Sequence, residues 1–287
     1  MASISGVMRR ASSLLLVVLS FAAAVAAAAE CKGKVFLTID TGHMEPAEAI
    51  AAILRKHDVK ATFFVANEPT KRGDTSLDPA WGPFWRARVA EGHAFGNHTW
   101  RHWYLRRDVG ADKVAYVSRD GTTELLDQAA FCAELKRVDD AFAGMTGRRL
   151  DPIWRAPGGR TTPRALKFAR ACGYARHVHW AKAGFLGDEL PSDRYPNERL
   201  LERALRNVKV GDILMMHLGI WSRKDPFWPQ LDPLIAGLKA RGLCFATLTE
   251  GGGRAQTGSQ PGSPFAGANV HVREFPASSR APMKVPG

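Results

Sequence analysis

Beyond its first thirty residues, the 287-residue sequence contains no apolar run long enough to cross a membrane. It also contains no internal repeat and no basic run interleaved with aromatic side chains. The formal net charge is +12, but the lysines and arginines are scattered among aspartates and glutamates. We therefore expect no stable membrane insertion, no repeat architecture and no nucleic-acid partner.

One long apolar run is present, from Leu14 to Ala29, directly after Arg9 and Arg10. It ends in an alanine-rich stretch before Glu30 and is shorter than the roughly 20 apolar residues of a transmembrane helix. This pattern predicts a cleavable signal peptide over residues 1–29, with an uncleaved anchor as the alternative. We therefore expect an exported protein, periplasmic or secreted after cleavage.

Cysteine is scarce, with four residues in the chain, and disulfides persist in exported proteins. Cys31 precedes the first predicted strand and Cys244 lies in the last, so the two would meet if the sheet closes into a barrel. Cys132 and Cys172 lie on helical patterns and would form the second pair. Two pairs of free thiols are the alternative.

Strand patterns alternate with helix patterns after Glu30, which predicts a single α/β domain with a parallel sheet over residues 30–250. Residues 251–287 are rich in Gly, Pro and Ser, which predicts a disordered tail. Two insertions, residues 67–85 and 104–122, interrupt the alternation as long loops. The seven strand-like runs are Lys34 to Asp40, Val59 to Val65, His93 to Asn97, Pro152 to Arg155, Ala175 to Trp180, Asp212 to His217 and Leu243 to Leu248.

His98 and His102 stand four residues apart in the stretch GNHTWRH, directly after the third strand. On a helical turn this spacing places both imidazoles on one side. Paired imidazoles are common ligands of zinc and similar divalent ions. The pair is therefore a candidate metal site, with two surface histidines as the alternative.

Several other strands also end in polar or aromatic side chains: Asp40 after the first, Arg155 after the fourth, Trp180 after the fifth and His217 after the sixth. In a closed parallel sheet, these ends share the face on which catalytic groups gather. Trp180, and Trp221 a few residues after the sixth strand, could offer flat surfaces to a sugar ring or could be core aromatics.

The ordered set TIDTG, HTWRH, RAPGG and LMMH resembles the polysaccharide deacetylases, the NodB-homology family of carbohydrate esterases. The resemblance covers roughly Lys34 to Glu250. It implies a distorted (β/α) barrel of about seven strands. It also implies removal of acetyl groups from sugars with a divalent metal, zinc first and cobalt or nickel as options.

By resemblance, Asp40 is the general base, His98 and His102 are metal ligands, Arg155 orients the base and His217 is the general acid. These roles agree with the chemistry of the residues. A carboxylate can take the proton of an attacking water, and an imidazole can protonate a departing sugar nitrogen.

The chain departs from the family pattern at two positions. Thr41 stands where a second acid usually serves as the third metal ligand. Thr41 would be a weak ligand, so water or Asp40 could take the position, metal binding could be poorer, or His43 could swing in. The acid expected after the fifth strand is also missing, with Ala183 near that point and Asp188 as a possible substitute.

The preferred hypothesis is a monomeric, metal-dependent hydrolase that removes acetyl groups from an N-acetylated glycan, chitin-like or peptidoglycan. Because the ligand set is incomplete, a metal-independent hydrolase of a non-peptide C–N bond in a smaller molecule is an alternative. A carbohydrate-binding relative without turnover is another.

Overall fold

The computed structural model describes residues 31–250, so the predicted leader and tail lie outside the described residues. This part of the chain forms ten strands, six α-helices and three short 3₁₀ helices. The strands are β1 Gly33–Asp40, β2 Thr62–Val65, β3 Ala94–Asn97, β4 Tyr104–Val109, β5 Lys113–Val117, β6 Thr123–Leu126, β7 Ile153–Trp154, β8 Arg176–His177, β9 Ile213–His217 and β10 Leu243–Phe245. The helices are α1 Ala47–Lys56, α2 Gly82–Ala90, α3 Gln128–Thr146, α4 Pro163–Ala171, α5 Asn197–Asn207 and α6 Leu231–Ala240.

Seven strands form one parallel sheet, which confirms the predicted α/β fold with its seven strand-like runs. Strand β1 is its centre, because it pairs with β2, β9 and β10. From β2 the sheet continues through β3 and β7 to β8. The chain that follows β8 then runs beside β9, where Phe185 pairs with Met215. The sheet thereby curls back on itself into a distorted barrel.

The apolar runs form strands because their side chains are buried on both faces, as parallel sheets require. Every residue of β1 from Val35 to Asp40 is buried. Helices cover the outside of the sheet, and α1 turns its buried Ile50 and Leu54 toward it.

The register of the sheet brings the strand ends into one row. Asp40 pairs with His217 on β9 and with Phe64 on β2. The row continues on β3, whose last residue, Asn97, pairs with both Val65 and Trp154. Residues that follow these positions therefore emerge at a single edge of the barrel.

The two predicted insertions contain regular structure, so their interpretation as long loops was wrong. The first ends in helix α2, and the second folds as the antiparallel sheet β4–β5–β6. This small sheet packs Leu105, Val114 and Tyr116 into a second core, which also contains Leu135 of α3. Strand β4 buries only Leu105 and strand β6 buries only Leu126, and their charged residues are exposed or half-buried, so these two strands lack the continuous apolar runs of the barrel strands.

Both predicted cysteine pairs are bonded. Cys31 joins Cys244 with the Cα atoms 5.7 Å apart, which links the start of β1 to β10. Cys132 of α3 joins Cys172 at the end of α4 with the Cα atoms 5.3 Å apart. The helices between residues 31 and 250 include none that is long and apolar enough to span a membrane.

Candidate active site

Asp40 is buried at the tip of β1, and its carboxylate is held by Arg155 at the end of β7. The guanidinium Nη1 donates to Asp40 Oδ1 at 2.6 Å, and Nη2 donates to the Thr38 hydroxyl at 2.9 Å. Burial lowers the pKa of Arg155, while Asp40 acts in the opposite direction. This charge-assisted bond fixes the orientation of the carboxylate and compensates its burial.

Arg155 also positions His98 through its backbone. The His98 Nδ1 lies 2.8 Å from the Arg155 carbonyl oxygen, which can only accept, so Nδ1 carries the hydrogen. The other ring nitrogen, Nε2, is therefore left with its lone pair, 3.5 Å from Asp40 Oδ2. Burial, together with His102, holds the pKa of His98 well below its ordinary value. A neutral ring with one free nitrogen is the form that binds metals.

His102 lies beside His98, with ring centroids 4.8 Å apart. The predicted helical turn was wrong, because residues 98–103 form an irregular loop after β3. Thr99 and His102 adopt left-handed φ angles of 65° and 54°. Such conformations are costly for non-glycine residues and are typical of functional loops, so the two imidazoles meet through a strained loop.

His217 ends β9 next to Asp40 and is held by Asp188. The Asp188 carboxylate accepts the His217 backbone N–H at 2.7 Å and contacts Nδ1 at 3.1 Å. Burial alone would lower the pKa of His217, but Asp188, with smaller contributions from Glu189 and Asp40, raises it to about 10. Asp188 therefore contacts His217, as its expected place after the fifth strand requires, and the raised pKa means that His217 holds a proton at neutral pH.

Thr41 is buried beside Asp40, and its hydroxyl accepts the backbone N–H of Ala66 at 3.1 Å. Next to it is Glu68, which the sequence analysis missed. Burial raises the pKa of Glu68, but His102 and a hydrogen bond from Thr41 outweigh it and keep this pKa below its ordinary value. The available signal was position, because Glu68 follows β2 at the same sheet edge where His98 follows β3.

The two tryptophans proposed as sugar platforms differ in their surroundings. Trp221 is 51% exposed and contacts the edge of His43, with ring centroids 5.4 Å apart. Trp180 stacks on His179 at 4.2 Å and lies 5.4 Å from the Arg155 guanidinium. Trp221 is thus the more exposed of the two, although Lys71 Nζ lies over its ring at 5.8 Å, whereas Trp180 packs against Arg155.

A cavity of about 340 Å³ opens on the His217 side of the site. Its walls include His43, Asp188, His217 and Trp228, but Asp40 and His98 do not line it. His43 points its Nδ1 at the backbone N–H of Glu45, 3.2 Å away. This cavity lies next to the group of charged side chains rather than around it.

The donors around His98 suit a divalent cation such as zinc. His98 presents a free Nε2, and Glu68 Oε2 is buried without a hydrogen-bond partner. In residues 31–250, no three His, Cys, Asp or Glu side chains form a closed group of ligands. They form two pairs instead, His98 with Asp40 and His102 with Glu68.

The fold and this arrangement define the class of the protein. The sequence profile described as polysaccharide deacetylase matches residues 27–177, slightly more than half of the chain. The chain therefore belongs to the polysaccharide deacetylase family, a family of hydrolases.

Known relatives agree with this assignment. The chain is 25% identical over 228 residues to a chitooligosaccharide deacetylase of Azorhizobium caulinodans, covering 76% of this chain and 93% of the relative. Among solved structures, it is similar to a family 4 acetyl xylan esterase from Clostridium thermocellum in complex with a cobalt ion. That match has a TM-score of 0.59 and 22% identity, covering 75% of this chain and 88% of the esterase.

A family 4 pseudoenzyme from Bacillus anthracis is also similar in fold. Its TM-score is 0.58 at 23% identity, and the match covers 77% of this chain and 65% of the pseudoenzyme. These two structures support the barrel fold of this chain.

Proposed function

We propose that this protein is a metal-dependent deacetylase that removes acetyl groups from an N-acetylated polysaccharide or oligosaccharide. The observation that carries the proposal is the pairing of Asp40 with His217 on adjacent strands, with His98 within 3.5 Å of Asp40. The proton acceptor Asp40 thus lies next to both a proton donor and the imidazole that would hold the cation. Chitin-like oligomers and peptidoglycan are the substrates we favour, and the name of the chitooligosaccharide deacetylase from Azorhizobium caulinodans supports the first of them.

His98 and His102 would hold the cation through their imidazole nitrogens. When bound, a divalent ion polarises the acetyl carbonyl and acidifies water. The remaining steps belong to the side chains of the chain itself. Asp40 accepts the proton of the attacking water, because Arg155 keeps its carboxylate oriented and leaves Oδ2 facing the histidines.

His217 delivers a proton to the departing sugar nitrogen. An amide nitrogen leaves poorly as an anion, so a positioned acid is needed on that side. Asp188 binds Nδ1 of His217, which directs Nε2 as the donor. The half-exposed ring of Trp221 offers a surface on which a sugar ring can stack.

The replacement of the usual second acid by Thr41 favours a second candidate, a carbohydrate-binding relative without turnover. The fold is shared by enzymes and by a pseudoenzyme, so it is compatible with both candidates. A metal-independent hydrolase of a smaller molecule is the remaining alternative.

The decisive experiment measures acetate release from chitin oligomers and from peptidoglycan by the purified protein. We expect release that is abolished by a chelator and restored by zinc or cobalt. The variant Asp40→Asn should lower kcat by about 10²–10⁴-fold, which is the usual contribution of a general base. Its metal content should match that of the wild type.

Other outcomes separate the candidates. Hydrolysis that resists chelation would favour the metal-independent enzyme, and glycan binding without acetate release would favour the non-catalytic relative.

We further propose that the protein is exported to the periplasm or secreted and acts as a monomer. The two disulfides are compatible with an oxidising compartment.

A further inference from the structure

The site contains a carboxylate that the proposed reaction does not use. Glu68 lies three residues beyond β2, and its Oε1 is 3.4 Å from His102 Nδ1. Its side chain is only 15% exposed. The mechanism already assigns Asp40 to the proton of water and Asp188 to His217, so Glu68 has no role in either step.

One oxygen of this carboxylate has no partner within residues 31–250. Glu68 Oε2 is buried and accepts no hydrogen bond. A buried polar atom without a partner costs about 1–3 kcal/mol, and more when it is charged. Such an atom on a carboxylate that contacts His102 through its other oxygen indicates that a cation is the missing partner.

The separation between Glu68 and His102 also suits a shared cation. At 3.4 Å, the contact is longer than a hydrogen bond between charged groups. Two donors on a tetrahedral ion with bonds of about 2.1 Å stand about 3.4 Å apart. His98 Nε2 and Asp40 Oδ2 are separated by a similar 3.5 Å. An ion placed among these side chains would draw the two pairs into one group.

We propose that Glu68 is the acidic metal ligand of this protein and supplies, from the loop after β2, the carboxylate that position 41 lacks. The inference rests on the metal-bound state proposed above. Thr41 then has a supporting role, because its buried hydroxyl accepts the Ala66 N–H and fixes the backbone two residues before Glu68. The ligand set becomes His98, His102 and Glu68, which is three protein ligands with a position left for water.

The loop geometry holds Glu68 in place before any ion binds. The Glu68 backbone N–H donates to the Ser76 hydroxyl at 2.9 Å, and the Ser76 N–H donates back to the Glu68 carbonyl at 2.8 Å. The same hydroxyl donates to the Ala66 carbonyl at 2.6 Å. Ser76 is fully buried, so this loop is pinned directly behind the carboxylate.

The test compares cobalt binding by wild type, Glu68→Ala and Glu68→Gln, using calorimetry and the visible absorption of bound Co²⁺. Glu189→Gln is the matched control. Glu189 is also an acid of the site, but its carboxylate lies 3.9 Å from Nε2 of His217, which is not a proposed metal ligand. We expect both Glu68 variants to weaken cobalt binding at least 100-fold and to change the absorption of bound Co²⁺. Glu189→Gln should stay within about threefold of the wild type.

The double variant Thr41→Asp/Glu68→Ala places an acid at position 41. It should bind cobalt at least tenfold more tightly than the single variant Glu68→Ala. Circular dichroism verifies that each variant is folded, and Glu68→Gln keeps the test valid if Glu68→Ala does not fold. Unchanged cobalt affinity and spectrum in a folded Glu68 variant would overturn the assignment. A wild type that binds no divalent ion would overturn it too.

The same proteins separate this assignment from the proposed function. If cobalt binding depends on Glu68 but the wild type releases no acetate from any glycan, the ligand assignment stands and the deacetylase proposal fails. If acetate release requires metal while the Glu68 variants bind cobalt normally, the deacetylase proposal stands and the ligand assignment fails.

Discussion

Gly42 lies two residues beyond Asp40, where the backbone of this turn meets the loop after β9. A Cβ atom at Gly42 would stand 2.1 Å from the carbonyl oxygen of Gly219, far inside van der Waals contact. Both loops continue strands that carry proposed catalytic side chains. The small size of residue 42 thus sets the spacing between Asp40 and His217.

We expect Gly42→Ala to destabilise the protein by about 2 kcal/mol or more and to reduce acetate release, because the two loops must separate. Gly144→Ala is the control, since Gly144 lies within α3 and a Cβ there meets nothing within 4 Å. That variant should gain about 0.5–1 kcal/mol, the usual advantage of Ala over Gly in a helix. Urea unfolding measures the stability of both variants, and equal stabilities of Gly42→Ala and Gly144→Ala would contradict this account.

A second prediction at the scale of single residues concerns the Asp188 carboxylate. We expect Asp188→Asn to lower the pKa of His217 from about 10, because the variant removes the negative charge beside Nδ1. The matched variant Glu189→Gln should lower this pKa by less. Histidine NMR titration of the metal-free protein measures both shifts. An unchanged pKa of His217 in the Asp188→Asn variant would show that another group raises this pKa.

At the scale of single elements, the barrel strands were predictable and the small sheet was not. A strand such as β1 is buried on both faces, so its apolar run stands out in the sequence. Strands β4 and β6 carry charged and exposed residues, such as Arg106 and Glu124, and resemble loops. The loop of His98 to His102 was misjudged because no glycine marks the left-handed turns at Thr99 and His102.

His93 links β2 and β3 and makes their pairing sensitive to acid. Its Nδ1 accepts the backbone N–H of Ala61 at 3.0 Å, which requires a neutral ring. Burial is the largest cause that lowers the pKa of His93, to about 4. The folded state therefore binds fewer protons than the unfolded chain, whose histidine has its ordinary pKa of about 6.5.

We expect this group to stabilise the fold fully above about pH 6.5 and to lose that contribution as the pH falls toward 4. At pH 5 the loss should be about 2 kcal/mol. Urea unfolding at pH 7.5 and pH 5 measures it. His93→Gln should be less stable at pH 7.5 and should show a smaller difference between the two pH values. A difference equal to that of the wild type would rule out His93 as its source.

At the scale of the whole molecule, the Cys31–Cys244 bond closes almost the entire described chain, with a sequence separation of 213 residues. In the chain-entropy model, closing such a loop stabilises the protein by roughly 5 kcal/mol, and the 40-residue separation of Cys132 and Cys172 gives about 4 kcal/mol. We expect Cys31→Ser/Cys244→Ser to lose more stability than Cys132→Ser/Cys172→Ser. Chemical denaturation checks the order, and the reverse order would contradict the model.

The candidate site was largely predictable because strand ends of a parallel barrel share one edge. Asp40, His98, Arg155 and His217 each follow a strand that the sequence marks clearly, and the structure brings them together. Glu68 was missed because it lies in a segment that the sequence analysis interpreted as a long loop. Its relation to His102 depends on the fold of that loop, and sequence spacing alone does not encode it.

The position of β1 in the sheet has a consequence for when the site can form. This strand is near the start of the described chain, but two of its partners, β9 and β10, are near its end. Asp40 therefore cannot pair with His217 until the chain has been translated for a further 177 residues. A chain still emerging from the ribosome therefore carries no assembled site, and hydrolysis can begin only after the whole domain has been synthesised.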